Sequence, residues 1–127
     1  MTPTAKVVSL LTNNLSVLPG LEEEHIHAFV INKDEVNNKE CMVVVSEIPA
    51  GSHDFGNNSV IGTYKRIQID FYYPKDYVGD MDLIEKSVKS FLRTHSIRCY
   101  SDAGHVMTPD TENIINTLKF NYLEMED

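Results

Sequence analysis

The chain has 127 residues, of which 42% are hydrophobic and 24% are charged, and its formal net charge is −8. This length and composition are typical of a globular protein, and we predict a single domain over residues 1–127. The acidic balance argues against a nucleic-acid-binding protein, because phosphate contacts need clustered lysine and arginine. No apolar run approaches the ~20 residues that cross a bilayer, so we expect no membrane-spanning helix.

The N-terminal segment predicts a short helix. Thr2 can cap it with its side-chain oxygen, and Pro3 suits the first helical position because no amide hydrogen is needed there. The pair Pro19-Gly20 is expected to end the element. Apolar residues follow at helical spacing, namely Val7, Val8, Leu11 and Leu15. No long apolar segment with a cleavage site is present at this end, so we expect no secretory signal.

Two strands are predicted next, over residues 25–31 and 41–48. The first is rich in β-branched and aromatic residues, and the second has little alternation, which is typical of a strand with apolar neighbours on both faces. Because the polar segment between them contains Asn37-Asn38, which tolerates a reversal, we expect the two strands to pair as a hairpin. Residues 49–59 are rich in Gly, Pro, Asn and Ser and are predicted to form a loop.

Residues 63–73 show strict alternation and predict a half-buried strand. Tyr72 lies on its polar face, and Pro74 ends it because proline cannot donate a backbone hydrogen bond to a neighbouring strand. The opposite face is apolar and consists of Ile67, Ile69, Phe71 and Tyr73. A polar turn over residues 74–80 follows.

The strongest helical pattern covers residues 81–95. Asp80 is the expected N-cap. The pairs Asp82–Lys86 and Glu85–Lys89 are predicted to form ion pairs on the solvent side. One apolar stripe runs along the helix and consists of Met81, Ile84, Val88, Phe91 and Leu92.

The C-terminal part predicts a brief strand over 96–100, a loop over 101–112 and a long strand over 113–125. The order of elements is then α-β-β-β-α-β-β. This order predicts an α+β fold, with a mainly antiparallel sheet and two helices packed on one side.

Reactive chemistry has no clear sequence signature. We find no nucleophile motif, phosphate-binding loop or dinucleotide motif, and we predict no catalytic site, no metal site and no cofactor. His25 and His27 are expected to share a strand face near three glutamates, but the spacing designates no further ligands, which favours half-exposed surface histidines. Cys41 and Cys99 are far apart and are expected to be reduced thiols rather than a disulfide.

The segments YKRIQIDFYYPKDYVGDMDLIEKSVKSFL and GHVMTPDTENIINTLKFNYLE carry a resemblance to a known family. Together with LPGLEEEHIHAFVINKDEVNNKE and DFGNNS, their order and spacing resemble the small tail terminator proteins of long-tailed phages from Gram-positive hosts. These are also described as tail completion or head–tail joining proteins. The resemblance spans most of the chain.

The resemblance implies a structural virion protein of the tail or neck, assembled in the host cytoplasm. Such a protein forms a homo-oligomeric ring, expected to be a hexamer, on the head-proximal end of the tail tube. It contacts the tail tube protein and a head-side connector or stopper protein. DNA passes through without specific binding, and a negative net charge has the right sign for such a ring. No membrane is involved.

Loops and exposed strand edges are the expected contact surfaces of such a ring. The candidate assembly contacts are Phe55, Asn57, Asn58, Tyr72, Tyr77, His105 and Asp110. We predict that charged replacements of Phe55 and Tyr77 leave a folded monomer that cannot form rings.

Three alternatives remain open at this level. The first is another ring protein of the neck, between the terminator and the portal. The second is a small metal-dependent enzyme that uses His25, His27 and a loop carboxylate. The third is a monomeric regulator that binds one host protein.

Overall fold

A computed structural model describes residues 2–30, 40–48, 53–56, 59–109 and 112–125. These residues form an α+β fold with two α-helices and one mostly antiparallel sheet, as predicted. The helices are α1 (Pro3–Thr12) and α2 (Met81–Thr94). The strands are β1 (Ile26–Ala28), β2 (Met42–Glu47), β3 (His53–Gly56), β4 (Ser59–Tyr73), β5 (Arg98–Asp102), β6 (Val106–Met107) and β7 (Ile114–Met125). The main strand order is β1-β2-β4-β7-β5, with β3 paired to β4 and β6 paired to β7.

The antiparallel pair β4 and β7 forms the centre of the sheet. The predicted alternation in β4 is confirmed, because Ile67, Ile69, Phe71 and Tyr73 are all fully buried. Directly paired residues of neighbouring strands point to the same face, and Ile67 pairs with Phe120 while Phe71 pairs with Val43. One apolar face of the sheet therefore runs continuously from β2 through β4 to β7.

Both helices contribute to the core on this apolar face, as predicted. Thr2 accepts a hydrogen bond from the amide of Ala5 at the start of α1, and α1 buries Val7 and Leu11. Asp80 accepts one from the amide of Leu83 at the start of α2. The buried residues of the apolar stripe of α2 are Ile84, Val88 and Leu92.

The N-terminal helix is shorter than its predicted extent. It ends at Thr12, where Asn13 provides the C-cap, and a separate 3₁₀ turn follows over Leu15–Val17. The side chain of Asn14 donates to the carbonyl of Leu10, which satisfies one of the carbonyl groups left free at the helix end.

The predicted hairpin between residues 25–31 and 41–48 is wrong, because β1 and β2 are parallel, with Ile26 opposite Val43. The first strand is also shorter than predicted. His25 belongs to a preceding 3₁₀ turn, and Phe29 has a φ of 68°, which ends the extended backbone. The reversal expected at 37–38 lies outside the described residues. A turn signal alone did not determine strand direction here.

Two strands occur where the sequence predicted loops. Residues 53–56 form β3 on the N-terminal extension of β4, with a register shift between Asp54 and Phe55. Residues 106–107 form β6 on β7. β3 has four residues and β6 has two, which is too few to show an alternating pattern. Their formation depends on main-chain pairing with the long central strands β4 and β7.

The two thiols differ in their surroundings, and both are free. Cys41 is fully buried, and burial, reinforced by the negative charge of Glu85, raises the pKa of its thiol to about 12. At pH 8 only about one molecule in ten thousand then carries the reactive Cys41 thiolate. Cys99 is half-buried.

We therefore expect a disulfide reagent at pH 8 to label Cys99 in the native protein and to label Cys41 only after unfolding in urea. Mass spectrometry of the labelled peptides would measure this. Rapid native labelling of Cys41 would contradict the buried position of its thiol.

Candidate assembly surface

Tyr77 and His105, two of the predicted contact residues, both pack against the buried ring of Tyr73. The ring centroid of Tyr73, at the end of β4, is 5.2 Å from that of Tyr77 and 6.1 Å from that of His105. Tyr77 belongs to the turn after β4, and His105 belongs to the loop between β5 and β6. The structure thus brings together two surface segments that are far apart in the sequence. We refer to residues 74–80 and 103–109 as the assembly surface.

A buried carboxylate holds this region together from below. Glu85 is only 3% exposed. Its Oε2 atom accepts a hydrogen bond from the hydroxyl of Tyr73 at 2.6 Å and lies 2.7 Å from Nε2 of His105. Its Oε1 atom accepts one from Nδ2 of Asn116 at 2.6 Å. The side chain of Glu85 therefore links α2 to β4, to β7 and to the loop between β5 and β6.

The predicted solvent-side ion pair between Glu85 and Lys89 is wrong. Glu85 follows Met81 by four residues and precedes Val88 by three, so it lies on the apolar stripe and not on the solvent side. Lys89 instead pairs with Asp102 on β5, with Nζ and Oδ2 separated by 3.2 Å. The other predicted pair, Asp82–Lys86, is present at 3.7 Å.

Asn116 extends the network towards the loop that carries His105. Its Nδ2 atom also donates to Oδ1 of Asp102 at 3.0 Å, and its Oδ1 atom accepts from the amide of Gly104 at 3.0 Å. The same amide lies 3.2 Å from Oδ1 of Asp102. Every polar atom of the Asn116 side chain thus contacts the loop or α2, and the loop is fixed to the core.

Tyr73 acts as a hydrogen-bond donor in this network. Burial raises the pKa of its hydroxyl well above the ordinary value of 10.0, and the neighbouring Cys41 and Glu85 raise it further. The hydroxyl therefore stays protonated and donates to Glu85 under all ordinary conditions. The arrangement is that of a structural polar cluster, in which each buried group has a partner.

Asp102 makes the network sensitive to acid. Partial burial alone would raise the pKa of Asp102, but hydrogen bonds from Asn116 and Lys89 outweigh this effect and hold the pKa below its ordinary value of 3.8. A lowered folded-state pKa stabilises the fold above the unfolded value, and this stabilisation is lost as the pH falls through the folded value.

We therefore expect Asp102→Asn to lower stability at pH 7, and we expect the difference from the natural protein to shrink below about pH 4. Urea unfolding of both proteins between pH 7 and pH 3 would measure it. A difference that stayed constant over this range would contradict the lowered pKa of Asp102.

Exposed apolar side chains lie on both segments of the assembly surface. Val78 is 98% exposed, Val106 is 61% exposed and Met107 is 56% exposed. A salt bridge of 2.8 Å between Lys75 and Glu112 joins the first segment to the residues just before β7. Exposed apolar side chains mark a surface that binds another protein where they form one contiguous patch, whereas single ones are common on any protein.

The other predicted contact residues have different positions. Tyr72 lies on the outer face of β4, opposite Met42 and Ile115, and is half-buried. Phe55 belongs to β3, where the structure describes the backbone. The remaining three, Asn57, Asn58 and Asp110, lie outside the described residues.

Sequence reasoning missed the residues that hold the assembly surface together. Glu85 was present in the helical period, and Asn116 lies two residues before Leu118 on the buried face of β7. In both cases the available signal was a polar residue at a position where the helical or strand pattern calls for an apolar one. Val78 had no comparable signal, because an isolated apolar residue in a turn is common.

The predicted half-exposed position of His25 is also wrong, since this residue is only 2% exposed. Its Nε2 atom lies 3.0 Å from Oε2 of Glu40. Among the described residues, the group whose ligand atoms could surround a metal consists of Glu22, Glu24 and His25, without His27. His105, in contrast, is bound to Glu85 on α2.

A model of a protein family of unknown function, DUF806, matches residues 2–123. The chain belongs to the DUF806 family. A comparison with curated proteins found no match. In the described part of this DUF806 protein, neither helix is long and apolar enough to cross a membrane.

Proposed function

We propose that this DUF806 protein is a tail terminator, a structural virion protein without enzymatic activity. In this role it forms a ring, most simply of six copies, on the head-proximal end of the tail tube and stops tube polymerisation. The ring joins the tube to the head-side connector in the tail or neck of the virion. The motif order described above, which resembles this class of protein, is the origin of the proposal.

The observation that carries the proposal is the assembly surface. Val78 and Met107 are apolar and exposed on segments whose bases are tied to the core by Tyr73, Glu85 and Asn116. A rigid surface loses little conformational entropy on binding, so its apolar area is available for association. A ring needs two different faces on each subunit, because closed rings form by head-to-tail contacts.

Net charge supports the same proposal. The chain carries a formal charge of −8, and a ring of six copies carries six times that charge. A strongly negative ring repels the DNA backbone, which suits a channel through which DNA passes without binding.

The assembly surface is tested by the double variant Val78→Lys, Met107→Lys. We expect it to fold normally, because both side chains are exposed, and to fail to cap tubes, because two buried lysines per contact oppose association. Val17→Lys is the matched control, since Val17 is 56% exposed but lies in the 3₁₀ turn after α1. Tyr77 is less suitable for this test because its ring packs on Tyr73.

Negative-stain imaging of tails assembled with each variant would measure the outcome. With the natural chain and with Val17→Lys we expect tubes of fixed length that end in a ring. With the double variant we expect overlong tubes, as in tails assembled without the protein. Tubes of normal length that fail to join heads when the protein is omitted would indicate a neck connector and would overturn the terminator proposal.

A further inference from the structure

We propose that Glu22, Glu24, His25 and Glu40 form a binding site for a divalent transition-metal ion, with Zn²⁺ as the favoured ion. The site revises the sequence-based expectation of no metal. It can be measured on the isolated chain, so its test does not depend on ring formation.

The first observation is the convergence of ligand atoms. One ligand atom from each of Glu22, Glu24 and His25 lies within 4.8 Å of the others. Nε2 of His25 is 3.0 Å from a carboxylate oxygen of Glu40 and 3.7 Å from one of Glu24. The 3₁₀ turn over Glu23–His25 creates this geometry, since it directs the flanking carboxylates towards the imidazole.

The second observation concerns the imidazole itself. The side chain of His25 is 3% exposed, and its Nδ1 atom has no hydrogen-bond partner among the described residues. Its polar contacts therefore all lie on the carboxylate side, through Nε2. Nε2 is therefore the ring nitrogen that faces the carboxylates, and it would bind an ion through its lone pair after losing its proton.

The third observation is uncompensated negative charge. Among the ion pairs of the described residues, no lysine or arginine contacts Glu22, Glu24 or Glu40, and His25 is the only basic partner. The carboxylates of Glu22 and Glu24 lie close together and repel each other, and a divalent cation between them removes this repulsion.

The donor set determines the class of ion. An imidazole nitrogen with carboxylate oxygens suits Zn²⁺ and related transition metals, whereas Mg²⁺ and Ca²⁺ prefer oxygen ligands alone. Zinc ligands lie about 2.0–2.2 Å from the ion, which places neighbouring ligand atoms roughly 3.3–3.6 Å apart in a tetrahedral site. Ligand atoms that now lie up to 4.8 Å apart must therefore approach one another by roughly an ångström. Glu22 and Glu24 are exposed and free to adopt new rotamers.

Two of the four proposed ligand residues face a surface cleft. Glu22 and Glu40 line a surface cleft of about 310 Å³ together with Tyr77 and Val78. Because Nδ1 of His25 has no partner to orient the ring, we expect a moderate affinity that a chelator reverses, rather than a permanently bound ion.

The test is calorimetric titration of Zn²⁺ into the full chain without a histidine tag, after treatment with a chelator. We expect one ion per chain, and we expect Glu24→Gln and Glu40→Gln each to weaken binding by at least about tenfold. Glu23→Gln is the matched control, because it removes the same charge from the same turn but lies outside the ligand group. We expect its affinity to equal that of the natural chain.

A second measurement avoids replacing the buried ring. Nitrogen-15 NMR of the histidine side chains should show the Nε2 signal of His25 shifting on Zn²⁺ addition, with no comparable change on addition of Mg²⁺. The proposal is overturned by absence of stoichiometric binding, by an equal loss in Glu23→Gln and Glu24→Gln, or by an unchanged His25 signal at saturating Zn²⁺.

Discussion

Replacing Glu85 by alanine is expected to lower the free energy of unfolding by roughly 2–4 kcal/mol, because the hydroxyl of Tyr73 loses its strong acceptor and Nδ2 of Asn116 loses one of its two acceptors. The hydroxyl of Tyr73 and Nδ2 of Asn116 each donate to a different oxygen of this carboxylate, both at 2.6 Å. Asn116 retains its contact with Asp102, but Tyr73 keeps only a marginal one, at 3.5 Å, to the carbonyl of Met81. Urea unfolding followed by circular dichroism would measure the loss.

Glu85→Gln and His105→Ala separate the contributions within the network. A glutamine has one carbonyl oxygen, so it satisfies Tyr73 or Asn116 but not both, and we expect an intermediate loss of about 1–3 kcal/mol. His105 is partly exposed, and its removal is expected to cost about 1 kcal/mol or less, because water replaces it. A Glu85→Ala protein as stable as the natural chain would show that the network does not stabilise the fold.

Replacing Gly20 by alanine is expected to destabilise the protein by roughly 2–4 kcal/mol, for two separate reasons. Gly20 has a φ of 83°, a conformation that L-residues rarely adopt. A Cβ atom at this position would also lie 2.9 Å from Cδ1 and Cγ1 of Ile84, a buried residue of α2. Displacing Ile84 would disturb the contact between α2 and the segment after α1.

Gly104→Ala is the matched control for the cost of placing an L-residue in this positive-φ conformation. Gly104 has a φ of 89°, but no atom lies within 4 Å of a Cβ built on it. Its replacement therefore carries only the conformational cost of about 1–2 kcal/mol. The difference between the two alanine variants in urea unfolding isolates the effect of displacing Ile84. Equal losses would mean that Ile84 moves aside without cost.

The elements predicted correctly have strong periodic signals. The alternation in β4 identified Ile67, Ile69, Phe71 and Tyr73 as core residues, and the period of α2 identified its buried stripe. Capping chemistry located both helix starts, at Thr2 and Asp80. In each case a local pattern of side chains reflects the one face that must be buried.

The errors share a different cause. The direction of β1 relative to β2 and the existence of β3 and β6 depend on pairing with partners distant in the sequence. The spacing of apolar and polar residues within one segment does not indicate which distant strand it pairs with. The solvent-side pairing of Glu85 with Lys89 failed for a related reason, because charge spacing was given priority over the position of Glu85 on the apolar stripe.

The sequence by itself determined the α+β class, the two helices, the long central strands and the acidic character of this DUF806 protein. These properties follow from local periodicity, capping and composition, each of which is readable within one segment. Only the tertiary structure brought Glu85 to Asn116 and His105, and His25 to Glu40. Such clusters join residues from separate elements, and a buried polar group is placed by its partners rather than by its neighbours in the chain.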